Sequence, residues 1–237
     1  MKWMTGAGVL ALLSIAAVGC HNAPGYPKAE PEVPRPEEVQ DFATLYKSNC
    51  SGCHGDNGKN GAAISLANPV YLAIASRDKL IDITARGVPN TMMPGFASPA
   101  GMLTDRQVQV IVDGMIAQWG QPDVLNGQGA PPYAAAGKGN SQQGQQAFVT
   151  YCARCHGADG KGGASNGLKV GSVIDPAYLQ LISDQGLRSI VIAGRPDEGK
   201  PDWRADAPGH PMTDKEVTDV VAWLASQRPQ VAATRQP

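Results

Sequence analysis

Cys50-Ser51-Gly52-Cys53-His54 is the stretch on which the chain is organised, and Cys152-Ala153-Arg154-Cys155-His156 repeats it 102 residues later. Two thiols one helical turn apart can form thioethers to the two vinyl groups of a single porphyrin. The His that follows is then placed to offer a ring nitrogen to the iron from one side. C-x-x-C-H is accordingly the attachment signature of a c-type haem. A redox dithiol followed by a stray His would not recur with matching flanks. A zinc site needs four ligands converging on one ion, whereas each pentapeptide brings three into its own stretch of chain.

The flanks extend the repeat outward, the mark of a duplication. Tyr46 pairs with Phe148, each four residues before the first Cys. Gly58-Lys59 pairs with Gly160-Lys161, and Asn68-Pro69-Val70-Tyr71-Leu72 with Asp175-Pro176-Ala177-Tyr178-Leu179. Gly87-Val88-Pro89 pairs with Gly194-Arg195-Pro196, and Thr104-Asp105 with Thr213-Asp214. The offset grows from 102 to 107 to 109, so the insertions fall in loops. Helical spacing of Val39, Phe42 and Tyr46 leads a helix into Cys50. Asn68-Pro69 has the form of a cap followed by a first-turn proline. A helix to about Ser76 and another over Asp78–Arg86 follow, the latter stopped by Gly87. The last helix of each copy starts at Thr104 or Thr213. Val108, Ile111, Val112, Met115, Ile116 and Trp119 form its apolar stripe in the first copy, and Val217, Val220, Val221 and Leu224 in the second.

These motifs resemble those of a di-haem cytochrome c built from two tandem domains of the small, all-helical kind. The resemblance covers about residues 38–120 and 141–228. It implies an all-α fold, with about three to five helices around each of two covalently bound haem c groups. Cys50, Cys53, Cys152 and Cys155 would hold the haems, and His54 and His156 would ligate their irons. In the family the sixth ligand is most often a Met followed by Pro, in the loop before the last helix. Met93-Pro94 matches this, with Met92 as its neighbour and fallback. The second copy departs from the pattern: a gap-free alignment from Gly87/Gly194 to Phe96/Trp203 sets Lys200-Pro201 opposite Met93-Pro94. Lys200 is the first candidate for the second iron. Met212, which aligns with Leu103, is the second. His210 and an open position complete the alternatives.

The ends and the composition bound the rest. Lysine and arginine number 20 against 21 aspartates and glutamates, without the basic excess of a nucleic-acid binder. Lys2, the apolar run Val9–Val18 and Ala17-Val18-Gly19-Cys20 read as a signal peptide over residues 1–19 that ends in a lipoprotein-like box. Cys20 is the cysteine left over from the two motifs and is the expected lipidation site. Residues 20–37 hold five prolines and read as a tether spanning roughly 50 Å. Residues 121–140, rich in Gly, Pro and Ala, read as an interdomain linker, and residues 229–237 as a polar tail.

The expected function is single-electron relay by a lipid-anchored protein on the periplasmic side of a bacterial membrane. The resemblance implies a quinol:cytochrome c oxidoreductase or a dehydrogenase as donor, and a terminal oxidase or other redox protein as acceptor. The rival reading is a di-haem enzyme, a peroxidase or a thiosulfate-oxidising cytochrome, and the departure at Lys200 is the feature that favours it.

Overall fold

The computed structural model describes residues 33–97, 101–165, 167–204 and 210–229. Cys20, the expected signal peptide and most of the expected tether and tail lie outside them. The described residues from 37 onward make one compact unit, and no helix among the described residues is long and apolar enough to cross a membrane.

The first copy runs α1 (Phe42–Asn49), α2 (Ser51–His54), α3 (Pro69–Ile74), α4 (Arg77–Arg86) and α5 (Asp105–Trp119). The second runs α6 (Ser141–Tyr151), α7 (Ala153–His156), a hairpin of β1 (Gly163–Ser165) and β2 (Leu168–Val170), then α8 (Pro176–Leu181), α9 (Asp184–Ala193) and α10 (Asp214–Ser226). The helices begin where the capping residues demand. Asn68 accepts from the amides of Val70 and Tyr71, and Asp175 accepts from that of Tyr178. Thr104 with Gln107, and Thr213 with Glu216, each close a reciprocal capping box. These contacts satisfy amide groups that a helix start leaves without partners.

In both copies the first and last helices cross over an aromatic pair. Tyr46 meets Trp119 edge-on with centroids 5.1 Å apart, and Phe148 packs on Trp223 at 4.3 Å. The crossing is close because one helix has a glycine there. A Cβ on Gly114 would lie 2.2 Å from the Phe42 ring, and one on Gly144 would lie 1.9 Å from the Asp219 carbonyl oxygen. The stripe expected on the last helices is core: Val108, Ile111, Val112, Val217 and Val220 are all but inaccessible.

Two features depart from the sequence reading. The antiparallel β1–β2 hairpin, with Gly163 opposite Val170, occupies the longer loop of the second copy, where no strand was expected. It is a small addition to a helical fold. The segment 121–140 is also fastened down along its length. Arg204 Nη1 donates to the Val124 carbonyl at 2.8 Å. Arg188, 2% exposed, donates to the Pro132 carbonyl at 2.8 Å and the Tyr133 carbonyl at 3.1 Å. It also reaches Thr218 Oγ1 at 2.9 Å and pairs with Asp214. A peptide carbonyl turned inward needs a donor, and a buried guanidinium needs acceptors, so each makes the other's position possible. Arg188→Ala removes the shared donor and is expected to lower unfolding stability by about 3 kcal/mol, measured as a shift of the urea midpoint at unchanged slope.

Candidate haem-attachment sites

The backbone builds the same socket twice. Cys50 ends α1 by donating its amide to the Tyr46 carbonyl at 2.8 Å. Its own carbonyl accepts from Cys53 at 3.2 Å and His54 at 3.0 Å. Cys152 donates to Phe148 at 2.8 Å and accepts from Cys155 at 3.2 Å and His156 at 3.0 Å. Each pentapeptide is therefore one short helical turn, which brings both thiols and the imidazole to one side. The four cysteines form no disulfide. Burial first, and then the neighbouring Cys53, push the Cys50 thiol up to about 11; burial and then Cys155 push Cys152 up to about 12. A redox dithiol needs its attacking thiol held low, and the first thiol of each motif is pushed the other way.

The imidazoles are set for coordination. His54 is buried, and its Nδ1 lies 2.7 Å from the Ile64 carbonyl. A proton donated there leaves the Nε2 lone pair for an iron, the usual arrangement behind a metal-bound imidazole. Burial chiefly lowers the proton affinity of His54; the Ile64 hydrogen bond opposes this, and the charge of Arg195 adds to it. His156 is shifted the same way by burial and then by the charge of Lys200, against the backbone of Gly171. Its Nδ1 is buried and makes no hydrogen bond of its own. Gly171 stands at the same offset of 107 from Ile64 that relates Asp175 to Asn68, but His156 makes no hydrogen bond like that of His54 to Ile64. Sequence reasoning did not find the Ile64 carbonyl, because a backbone acceptor leaves no residue signature.

The loops before the last helices also correspond. Gly87 and Gly194 end α4 and α9 at φ of 73° and 66°, a region L side chains rarely enter. A Cβ on Gly87 would lie 2.7 Å from the Met93 carbonyl oxygen, and one on Gly194 would lie 2.7 Å from that of Lys200. Val88 donates to Met93 at 3.0 Å, and Arg195 to Lys200 at 3.0 Å. Leu103 donates to Phe96, and Met212 to Trp203, both at 2.9 Å. Lys200 therefore sits at the rung of Met93, and Met212 at that of Leu103. Leu103 and Met212 are both 7% exposed. Met93 packs partly buried against the core, whereas Met92 is 77% exposed. The Lys200 ammonium lies 2.5 Å from Glu198 Oε2. His210 is held by Tyr151, whose hydroxyl lies 3.3 Å from its Nδ1 and also donates to Glu216 at 3.0 Å.

The residues present fit a covalently attached porphyrin at each socket. Each has two thiols and an imidazole on one helical turn, with the imidazole Nδ1 turned inward. Among the described residues no three His, Cys, Asp or Glu side chains gather as a metal cluster.

Comparison with known proteins agrees with this reading. Residues 37–113 match the family described as cytochrome c oxidase, cbb3-type, subunit III, and residues 141–228 match the cytochrome c family. A cbb3-type cytochrome c oxidase subunit FixPc of Rhizobium leguminosarum bv. viciae is 32% identical over 134 residues, covering 53% of this chain and 41% of that protein. Subunit FixP of Sinorhizobium medicae is 28% identical over the same length and the same shares. The chain thus spans about two-fifths of these curated relatives. Among solved structures, a chain of the Kuenenia stuttgartiensis reducing HAO-like protein complex aligns at a TM-score of 0.44 and 14% identity, over 84% of this chain and all of that one. With two sockets of one construction, each inside a matched cytochrome c segment, the protein is a c-type cytochrome of two tandem domains.

Proposed function

We propose that the chain binds two haem c groups and passes single electrons between redox proteins on the outer side of a bacterial cytoplasmic membrane. Bound haem supplies one-electron Fe(III)/Fe(II) chemistry. The chain's own part is to hold each porphyrin covalently, to fix an imidazole on one face and to choose the group on the other. The observation that carries this reading is the doubled socket, in which Cys50, Cys53 and His54 share their backbone frame with Cys152, Cys155 and His156. Nothing beyond that frame is required for electron relay: no acid–base pair and no activated nucleophile stands at either motif. The names of the matched relatives support a respiratory partner of the cbb3-oxidase kind as acceptor. Met93 is the proposed sixth ligand of the first iron. Lys200, in the equivalent place, is the proposed ligand of the second. Anchoring through a lipid on Cys20, after removal of residues 1–19, would keep the carrier at the membrane that holds its donor and acceptor.

One observation favours a second reading. The Lys200 ammonium is held by Glu198 and is half exposed, and an ammonium has no lone pair to give. If that pair persists with haem bound, the second iron keeps an open face and could activate peroxide. Stopped-flow spectra of the reduced protein separate the two. A carrier exchanges electrons with an oxidised cytochrome c or oxidase within the mixing time and is reoxidised only slowly by peroxide. Rapid peroxide turnover with cyanide binding at one haem would replace the carrier reading with the enzymatic one.

A further inference from the structure

The two domains meet at a place that joins one haem socket to the other. Gly61 packs directly on the first pentapeptide: a Cβ there would lie 2.3 Å from the Cys53 carbonyl oxygen and 2.5 Å from the His54 carbonyl carbon. The Gly61 carbonyl accepts from Arg195 Nη2 of the second domain at 3.4 Å. Arg195 is the residue whose backbone is paired in both directions with Lys200, at 3.0 and 2.9 Å. One side chain therefore connects the attachment motif of the first domain to the distal position of the second.

The contact is built rather than incidental. Arg195 is 7% exposed, and its guanidinium is aimed by Asp197 at 3.0 Å and Glu198 at 2.8 Å. Asp197 itself crosses the seam and accepts from the Asn60 amide at 3.0 Å. A second tie runs alongside. Asn68 Nδ2 donates to the Ala193 carbonyl at 2.8 Å and the Gly194 carbonyl at 3.2 Å. Its Oδ1 meanwhile caps α3, so one buried amide uses both ends. In the second copy the aligned residue is Asp175, which can cap but cannot donate. The asparagine is therefore what the seam requires and the cap alone does not. A buried guanidinium or amide satisfied across an interface holds that interface in one register.

We propose that Arg195 is a positioning residue for both haems, fixing the distal loop of the second domain on the attachment motif of the first so that the two redox sites are coupled. The coupling rests on the two-haem reading above. Arg195→Gln frees the loop from Gly61 and should shift both midpoint potentials in an optical redox titration. The first haem should move by about a tenfold change in its Fe(III)/Fe(II) ratio, about 59 mV for one electron. Arg195→Lys keeps the charge with a single donor group and should restore part of that shift. Asn68→Ser keeps a capping oxygen without adding charge and loses the cross-domain donor, and should move the first haem in the same direction by less. It also serves where Arg195→Gln does not fold. A shift confined to the second haem, or none in any folded variant, overturns the coupling while leaving two haems in place. A haem count of one in the wild-type protein, taken from the same samples by mass spectrometry, overturns both the coupling and the reading on which it rests.

Discussion

Changing Cys50 and Cys53 together to Ser is expected to remove one of two covalent haems and leave the other. Intact-mass analysis should show two adducts in the wild-type protein, one in this variant, one in the Cys152→Ser/Cys155→Ser variant, and none when all four are changed. The expectation follows from the independence of the two sockets. The backbone bonds that shape Cys50–His54 come from Tyr46 and Cys50, and those that shape Cys152–His156 from Phe148 and Cys152. No thiol of one motif depends on the other. Loss of both adducts on changing one pair would mean that the domains mature as one unit. The variant retaining one haem should also unfold at lower denaturant, because the emptied socket leaves apolar wall without its occupant. His54→Ala tests a different atom of the same socket. Attachment should survive, since the thioethers do not involve the ring, while the low-spin spectrum of that haem is lost.

The second large effect is an inequality between the haems. Met93→Ala should abolish the sulfur-to-iron charge-transfer band of the oxidised protein and lower the higher of the two midpoint potentials. Lys200→Met should add a second such band and raise the lower potential. Thioether ligation opposite an imidazole raises a haem potential, because the soft sulfur favours Fe(II) and an amine favours Fe(III). The argument turns on placement: Met93 and Lys200 occupy the same rung, each accepting from the residue after the glycine that ends the preceding helix. Met212 stands one rung further on with Leu103, and both side chains are buried. The band intensity of the wild type decides the matter. Intensity for one Met-ligated iron supports Lys200 or an open face, and intensity for two gives the second iron to Met212.

The seam adds a reason for the inequality to matter. With Arg195 joining Gly61 to the loop of Lys200, a change of ligand at the second iron would be felt at the backbone that carries the first. A carrier coupled in this way would favour one order of electron entry. Two unconnected domains of the same ligation would not.

The two pentapeptides, the capping residues and the apolar stripes are local, and the sequence by itself determined them. A thiol pair one turn apart, an Asn-Pro or Asp-Pro helix start and a Thr three residues before Gln or Glu act within a few residues, so their spacing is their structure. The equivalence of Met93 and Lys200 was legible for the same reason, because it follows from counting between Gly87 and Phe96 and between Gly194 and Trp203. Other features depended on partners distant in the chain. Arg188 and Arg204 pin residues 124–133, part of a stretch with no period that reads as an interdomain linker, by donating to main-chain carbonyls. Arg195 meets Gly61 across 134 residues, and Asn68 meets Ala193 across 125. Ile64 acts on the His54 imidazole through its carbonyl, which every residue possesses. A hydrogen bond to the main chain puts no constraint on the identity of its acceptor, and so only the tertiary structure decided which residues bind the two haem domains into one body.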